Sequence, residues 1–234
     1  MEKVEWEVLS EVFDPSTLKA LLHLIDKGIL SKVYGFISTG KEACVLYAIG
    51  NSNEYAVKIY RTFTATFVKG IWKYIEGDPR FQSFKKHRYH IRILWASKEF
   101  KNLKKAFKAG VFVPEPILVY KNILVMRFIG EEGAPAPLLK DYKNPDFSIY
   151  EKILENIKLL HDRAKLVHSD LSEFNVMVFK GDPYFIDMGQ AVPLSHPLAY
   201  EFLFRDIKNI NYFFKKAGVE TYDDHEIYRW VVGE

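Results

Sequence analysis

The sequence predicts an α+β fold in two lobes, with an antiparallel sheet in the N-terminal lobe and mainly helices in the C-terminal lobe. Three short runs of alternating apolar and polar residues follow one another, separated by glycine- and asparagine-containing turns. A stretch dominated by glycine and proline, residues 130–137, then marks a boundary, and apolar residues recur at helical spacing beyond it. The predicted domains are a helical extension packed on the N-lobe at 1–30, the N-lobe at 31–129 and the C-lobe at 130–234.

The elements of the N-lobe follow from local signals in chain order. Asp14, Pro15 and Ser16 predict the start of a helix, and Gly28 predicts its end. Residues 61–94 mix aromatic and basic side chains without clean periodicity, so we expect a long irregular excursion there. The other predicted elements are strands at 33–37, 43–48, 54–60, 117–120 and 123–128 and a helix at 95–109.

The C-lobe is predicted to open with a buried helix, whose apolar residues recur at helical spacing: Ile149, Ile153, Ile157 and Leu160. A short apolar run ending at Asp187 is expected to be a buried strand. A second helix is expected from about Leu198 to Phe213, followed by a polar C-terminal tail. The loop between Asp187 and this helix is therefore short.

Composition and length favour a globular, soluble, cytoplasmic protein, which we expect to be a monomer. The chain has 234 residues and is 48% hydrophobic, which suffices for a sizeable core. It contains no run of about 18 apolar residues, and its charged start differs from a signal peptide, so no membrane association is expected. Cys44 is the single cysteine and the histidines lack metal-ligand spacing, so neither a disulfide nor a zinc site is expected.

Positive charge is concentrated in residues 58–108. This segment holds fourteen Lys and Arg against three acids, although the whole chain has a net charge of only +3. Such a segment favours a polyanionic partner, and a solvated helix face is the competing interpretation. Residues 85–92 also interleave aromatic and basic side chains, a pattern typical of proteins that bind single-stranded nucleic acid.

The strongest chemical signal is the set Asp170, Asn175 and Asp187. Asn175 and Asp187 offer oxygen ligands of the kind that Mg²⁺ prefers, which leaves Asp170 to orient a nucleophile. The spacing Asp-Leu-x-x-x-Asn matches the catalytic loop of protein kinases, except that Ser169 stands where their arginine is usual. His168 is expected to brace this loop. Arg205 and Asp206 are candidates for an internal ion pair that ties the C-terminal helix to it.

A second signal is the run Gly35 to Lys41, which satisfies G-x-x-x-x-G-K. A Walker loop needs Ser or Thr at the next position and must open a helix, whereas here Glu42 follows and the chain alternates as a strand. We therefore predict a strand–turn–strand that lays the backbone N–H groups of residues 38–41 over a nucleotide, as kinase glycine-rich loops do. Lys58 follows Ala-Val on the third strand, and an inward ion pair with Glu99 would position the phosphates.

Taken together, three motifs resemble the RIO atypical protein kinases, in the archaeal-type branch without an N-terminal winged helix. They are Ser-Thr-Gly-Lys-Glu-Ala at 38–43, His-Ser-Asp-Leu-Ser-Glu-Phe-Asn at 168–175 and Ile-Asp-Met-Gly-Gln-Ala at 186–191. The resemblance covers roughly Ser31 to Phe214. It implies a bilobal kinase fold that binds ATP and Mg²⁺, with Mn²⁺ as a substitute, and that autophosphorylates or hydrolyses ATP. It also implies action in maturation of the small ribosomal subunit, with the pre-ribosomal particle and its rRNA as partners.

The resemblance assigns roles to individual residues of this chain. Asp170 would be the catalytic aspartate, and Asp187 would bind metal with Asn175 and could itself accept the phosphoryl group. Lys58 and Glu99 would set the phosphates. The other residues implied in nucleotide binding are Ser38, Thr39, Gly40, Lys41 and Glu42 in the turn and Met126, Arg127 and Ile129 at the hinge. Arg127 stands where the family usually has an acid.

What the sequence lacks shapes the expected activity. The interval after Asp187 leaves no platform for an extended peptide, so broad protein-kinase activity is not expected. Ser172 stands where many kinases carry a lysine near the γ-phosphate, which predicts slow turnover. The favoured interpretation is an ATP-driven switch with weak kinase activity. The alternatives are a nucleotide-binding assembly factor on pre-ribosomal RNA without fast catalysis and a small-molecule kinase of the aminoglycoside type.

Overall fold

The computed structural model describes residues 6–61, 64–81 and 88–234 of the chain. Its helices are α1 (Trp6–Val12), α2 (Pro15–Asp26), α3 (Ala65–Glu76), α4 (Arg88–Lys108), α5 (Phe147–Asp162), α6 (Ala199–Lys216) and α7 (Asp224–Val232). Its strands are β1 (Lys32–Thr39), β2 (Ala43–Gly50), β3 (Asn53–Tyr60), β4 (Pro116–Tyr120), β5 (Ile123–Arg127), β6 (Gly130–Glu131), β7 (Ala134–Pro135), β8 (Leu166–Val167), β9 (Val176–Phe179), β10 (Asp182–Phe185) and β11 (Val192–Pro193). Within those ranges, no helix is both long and apolar enough to cross a membrane.

The chain forms two compact units. The first comprises Met1–Lys69, Lys85–Lys101 and Glu115–Pro135, and the second comprises Gly70–Phe84, Asn102–Pro114 and Ala136–Glu234. Residues 70–84 and 102–114, which the predicted N-lobe included, thus belong to the second unit. One reason is that the Tyr74 ring lies 5.4 Å from the Phe202 ring of α6.

The first unit is built on a five-stranded antiparallel sheet in the order β1-β2-β3-β5-β4. Helix α2 packs on it, because Leu21 and Leu24 share one buried cluster with strand residues such as Leu46 and Val57. The predicted start of this helix is confirmed, since the Asp14 side chain accepts hydrogen bonds from two N–H groups of the first turn. The three predicted N-terminal strands are confirmed as β1, β2 and β3.

The second unit is mainly helical. Helices α5 and α6 bury their apolar faces, including Ile153 on α5 and Ile207 and Phe214 on α6. Two small antiparallel pairs, β8 with β11 and β9 with β10, complete the unit. These short strands add buried residues such as Val176 and Phe185 to the core, and they set the backbone of the loops around residue 170.

The prediction of an irregular excursion over residues 61–94 is wrong in large part. Helix α3 occupies 65–76, and α4 begins at Arg88, seven residues before the predicted start at Trp95. In α3 the buried residues Ile71, Tyr74 and Ile75 follow the i, i+3, i+4 spacing of a helix. Interleaved lysines on the exposed face obscured this period in the sequence.

The predicted polar C-terminal tail is also wrong, because residues 224–232 form helix α7. Asp223 caps its N-terminus by accepting hydrogen bonds from the N–H groups of His225 and Glu226. Ile227 and Val231, one helical turn apart, are buried, so a single apolar stripe attaches the helix to the unit. A two-residue stripe is too short to recognise among charged neighbours.

The structure removes one residue from the predicted nucleic-acid-binding run at 85–92. Arg92 is 3% exposed, and its Nη1 lies 2.6 Å from Asp14 Oδ2, so it stabilises the first unit instead of facing solvent. Lys58 and Lys98 are likewise buried. Lys85, Lys86 and His87 lie outside the described residues, as do the side chains of 88–90.

Candidate active site

The predicted phosphate loop is the turn between β1 and β2, in the first unit. β1 ends at Thr39 and β2 begins at Ala43, so the strand–turn–strand prediction is confirmed and the helix required by a Walker loop is not formed. The side chains of Ser38, Thr39 and Lys41 are exposed, and Glu42 is half-buried. The Gly40 N–H donates to the Ala43 carbonyl at 2.9 Å. That N–H therefore closes the turn and is not available to a nucleotide. The N–H groups of residues 38, 39 and 41 remain the predicted donors to the phosphates.

The structure brings Lys58 and Glu99 together in the interior of the first unit. Lys58 Nζ lies 3.0 Å from Glu99 Oε1 and 2.9 Å from Oε2. Lys58 is 8% exposed and Glu99 is 1% exposed. A pair at this depth has lost most of its hydration, and the attraction between the opposite charges offsets part of that cost. This contact holds the ammonium group at a defined position on β3.

The predicted hinge residues lie at the end of β5 and just beyond it. Met126 and Ile129 are buried, whereas Arg127 is partly exposed and its side chain reaches Glu115 at 3.3 Å. The backbone N–H of Arg127 donates to the Glu115 carbonyl at 2.8 Å. The Arg127 N–H is therefore used within the protein and is not available to a nucleotide.

The catalytic-loop residues lie in the second unit, where strand register brings them together. β9 and β10 pair antiparallel with Val176 opposite Phe185, so Asn175 and Asp187 come at the same end of the hairpin. The Ile186 N–H donates to the Asn175 carbonyl at 3.0 Å and extends this pairing by one bond. β8 pairs with β11, which brings His168 beside the segment that follows Asp187.

Asp170 is held by side chains from both of the neighbouring motifs. Asn175 Nδ2 donates to the Asp170 carbonyl oxygen at 2.8 Å and to its Oδ2 at 3.3 Å. Gln190 Nε2 donates to Asp170 Oδ2 at 2.9 Å. His168 Nε2 lies 3.0 Å from the Ile186 carbonyl oxygen, so the predicted bracing role of this buried histidine is confirmed.

Helix α6 fixes the backbone on both sides of Asp170. Asp206 is 1% exposed, and its two oxygens accept the N–H groups of Ser169 at 2.7 Å and Leu171 at 3.0 Å. Arg205 donates to the Ser169 carbonyl, and Asn209 donates to the Leu171 carbonyl at 3.0 Å. The link that was expected as an Arg205–Asp206 ion pair is thus made by both residues to the loop backbone.

Two residues of this site adopt the left-handed backbone conformation that non-glycine residues rarely take. Ser169 has φ of 69° and Asp187 has φ of 59°. Such conformations persist only where surrounding bonds enforce them, and they concentrate at functional sites. Here the bonds from Asp206 and Arg205 enforce the one at Ser169.

Burial and the neighbouring charge determine the ionisation of Asp170. Burial raises the pKa of this carboxyl group, and the nearby charge of Asp187 raises it further. Arg205, Asn175 and Lys73 act in the opposite direction. A carboxylate with a raised pKa is a stronger base, which suits a group that takes a proton from a hydroxyl.

The side chains of Asn175 and Asp187 fit a magnesium ion. Because the Asn175 nitrogen is bound to Asp170, its oxygen is the atom left for a metal. The Asp187 side chain is exposed and lies at the same end of the hairpin. Mg²⁺ typically takes one or two protein oxygens and completes its shell with water and phosphate, so two ligands are sufficient.

Four residues of this site had no assigned role or only a structural one in the sequence: Gln190, Arg205, Asp206 and Asn209. Gln190 lies within a motif, so its position was visible but its contact to Asp170 was not. Arg205, Asp206 and Asn209 lie more than thirty residues beyond the loop they bind. In the sequence, the adjacent charges of Arg205 and Asp206 on an amphipathic helix were the indication that this helix contacts the loop.

An aspartate oriented by Asn and Gln in one unit, and a buried Lys–Glu pair between a strand and a helix in the other, are features of the protein-kinase class of phosphotransferases. Residues 38–227 match the model of the RIO domain. The chain therefore belongs to the RIO family of atypical protein kinases. The family expected from the three motifs and the kinase-like α+β fold are both confirmed.

Relatives of this chain span nearly all of it. It is 41% identical over 233 residues to the RIO-type serine/threonine-protein kinase Rio1 of Haloferax volcanii, covering 98% of this chain and 79% of that protein. It is 42% identical over 227 residues to the protein of the same name from Methanocaldococcus jannaschii, covering 96% and 77%.

Solved structures agree on the fold. The Rio2 kinase from Chaetomium thermophilum, in an ADP/Mg²⁺-phosphoaspartate complex, matches with a TM-score of 0.68 at 22% identity. The match covers 90% of this chain and 64% of the fungal chain, which is less than two thirds of its length. At this identity the likeness concerns the fold alone.

Proposed function

We propose that this protein is an ATP- and Mg²⁺-dependent atypical serine/threonine kinase that autophosphorylates and hydrolyses ATP slowly, as a switch in maturation of the small ribosomal subunit. The observation that carries the proposal is the setting of Asp170. Its carboxylate is oriented by Asn175 and Gln190, its backbone is fixed by Asp206, and its pKa is raised by burial. Kinases use an aspartate in this setting to accept the proton of the attacking hydroxyl.

The other residues supply positioning and charge. Lys58, fixed by Glu99, would bind the α- and β-phosphates, and the turn at 38–42 would cover them. Met126, Arg127 and Ile129 would meet the adenine. Asn175 and Asp187 would hold Mg²⁺, which when bound neutralises charge on the phosphates. Mn²⁺ takes oxygen ligands of the same kind and is expected to substitute.

Slow turnover follows from what surrounds Asp170. Ser172 is half-buried where many kinases place a lysine, so one charge that would stabilise the transition state is missing. Only eleven residues separate Asp187 from the start of α6 at Ala199, which leaves no room for an extended peptide platform. These features favour a switch that is reset by ATP hydrolysis over a kinase that modifies many proteins.

Asp187 is a second candidate acceptor for the phosphoryl group. The fungal neighbour was solved with a phosphoaspartate, and Asp187 of this chain has an exposed side chain. Transfer would break the bond between the γ-phosphorus and the ADP oxygen and form one to an Asp187 oxygen. Water would then release phosphate and restore the carboxylate.

The test compares phosphate release with protein phosphorylation from labelled ATP, with and without small-subunit precursor particles. Asp170→Ala is expected to abolish transfer while leaving Mg·ATP binding nearly intact, and Asp187→Ala is expected to weaken metal-dependent binding. Asp182→Asn, at a partly exposed ion pair in the same unit, is the matched control and should behave as wild type. Undiminished ATP turnover by the Asp170 variant would refute the catalytic assignment.

The proposed rRNA contact is tested separately. Replacing Lys85 and Lys86 with alanine should reduce the dependence of RNA binding on salt concentration, because each phosphate contact releases counterions. Arg92 is left unchanged in this test, since it is buried against Asp14. An unchanged salt dependence would assign this run to a solvated surface.

A further inference from the structure

A relay of three polar side chains in the second unit leads from residue 78 to the turn that follows Asp187. Asp78 is fully buried, and its oxygens lie 2.8 Å from Arg80 Nε and 2.6 Å from Arg80 Nη2. Arg80 Nη1 donates to Asn102 Oδ1 at 2.9 Å. Asn102 Nδ2 in turn donates to the carbonyl oxygens of Met188 at 2.8 Å and Ala191 at 2.9 Å.

The relay fixes the orientation of the Asn102 amide. Asn102 is fully buried, and both N–H groups of its nitrogen are used on the two carbonyls. A flipped amide would turn its oxygen towards those carbonyls and its nitrogen towards the Arg80 guanidinium. All three hydrogen bonds of the Asn102 side chain would then be lost. Arg80 therefore selects the amide orientation, and Asp78 holds Arg80 in place.

The two carbonyls that Asn102 binds belong to one tight turn. The Ala191 N–H donates to the Met188 carbonyl at 3.2 Å, so residues 188–191 close on themselves. This turn begins directly after Asp187, which has φ of 59°. The left-handed region is a minor conformation even for aspartate, and the relay fixes the residue next to it.

The segment that follows Asp187 is also held at its C-terminal end, where His196 contacts helix α3. His196 Nε2 lies 2.9 Å from the Lys73 carbonyl oxygen, and the Leu198 N–H donates to His196 Nδ1 at 3.1 Å. A side chain at Gly77 would place its Cβ 2.5 Å from His196 Nε2, so this close contact requires glycine. Residues 188–196 are thus attached at one end to Asn102 and at the other to Lys73.

We propose that Asp78, Arg80 and Asn102 are positioning residues that set the metal affinity of Asp187. This inference rests on the proposed function, in which Asp187 binds Mg²⁺. A short segment after Asp187 cannot fold into a stable element of its own, and the relay supplies the rigidity. Partners behind a metal ligand typically change metal affinity roughly 10- to 100-fold when removed.

The test uses Asn102→Ala and, as a matched control, Asn211→Ala. Asn211 is also buried on a helix of the second unit, and its amide bonds to Tyr150 and to the Tyr222 carbonyl oxygen, in contacts separate from the relay. Both variants are expected to unfold at lower temperature. Only the Asn102 variant should speed hydrogen exchange of the Ala191 amide, measured without nucleotide.

The second measurement is the Mg²⁺ concentration that half-saturates ATP binding. It should rise roughly 10- to 100-fold in the Asn102 variant and stay unchanged in the Asn211 variant. The turnover number at saturating Mg²⁺ should fall less than the Mg²⁺ affinity, because the relay reaches Asp170 only indirectly, through Gln190 of the same turn. Should Asn102→Ala fail to fold, the same measurements are made on Arg80→Met, since the Arg80 side chain is 19% exposed.

The outcomes separate the inference from the proposed function. Equal behaviour of the Asn102 and Asn211 variants in exchange and in Mg²⁺ dependence would overturn the positioning role. A faster Ala191 exchange with unchanged Mg²⁺ affinity would also overturn it. Absence of Mg²⁺-dependent ATP binding in the wild type would instead refute the proposed function, and the inference with it.

Discussion

The buried pair between Lys58 and Glu99 yields a prediction that separates stability from function. Glu99→Ala removes the carboxylate and leaves the Lys58 ammonium in a site where the lysine is only 8% exposed. The double variant Lys58→Met with Glu99→Leu removes both charges and fills the space with apolar atoms. We expect the single variant to be much less stable than the double variant.

The magnitude follows from the depth of the pair. Breaking a buried ion pair by removing one partner costs about 3–5 kcal/mol, whereas replacing both partners with apolar residues is often close to neutral. For a chain of this size, each kcal/mol lowers the midpoint of thermal unfolding by about 2–4 °C. Glu99→Ala should therefore lower the midpoint by roughly 6–20 °C, and the double variant should recover most of that loss.

Urea and thermal unfolding measure the stability, and titration with ATP measures the function. Both variants should lose nucleotide affinity, because each lacks the ammonium position that the pair defines. Asp182→Asn breaks a partly exposed pair with Lys152, at side-chain exposures of 34% and 38%, and should cost at most about 1 kcal/mol. A Glu99 variant that loses no more stability than this control would refute the reasoning.

Three further predictions concern other parts of the molecule. Because burial and the charge of Asp187 raise the pKa of Asp170, kcat/KM should fall with decreasing pH at values above the ordinary aspartate pKa of about 3.9, and a profile flat to pH 4 would contradict this role. Burial opposes ionisation of Asp14, but hydrogen bonds from Arg92, Ser16 and Thr17 hold the pKa of this carboxyl well below its usual range. The stability from Asp14 is therefore present above pH of about 4 and lost as pH falls further, so Arg92→Gln should weaken the acid dependence of urea unfolding; an unchanged slope would count against the contact. Ile227→Ala should cost about 2–5 kcal/mol in urea unfolding by loosening α7, and a cost below about 1 kcal/mol would mean that α7 is not packed as described.

Much of the first unit was predictable because its signals are local. Alternating residues and turn signals identified β1, β2 and β3, and Asp14 with Pro15 identified the start of α2. The Lys58–Glu99 contact was predicted from its motif, and the two side chains do meet. Helices α3 and α7 were missed, since each buries only a narrow apolar stripe among charged residues.

In the second unit, too, local features were predictable and long-range contacts were not. The spacing of Asp170, Asn175 and Asp187 indicated a shared site, and antiparallel pairing of β9 with β10 brings the last two to one end of a hairpin. The supports of that site were not predictable in detail. Asp206 lies 36 residues from Asp170 in the chain, and Asn102 lies 86 residues from Met188, so only folding makes them neighbours.

The sequence by itself determined the family, the order of most elements and the residues that could do the chemistry, because periodicity, capping and motif spacing are properties of short segments. Tertiary structure decided which of those residues face one another and what holds them. It buried Arg92 against Asp14 instead of leaving it for a polyanion, and it raised the pKa of Asp170 through burial beside Asp187. Burial, charge proximity and the satisfaction of distant backbone carbonyls depend on the packing of the whole unit, and no local pattern encodes them.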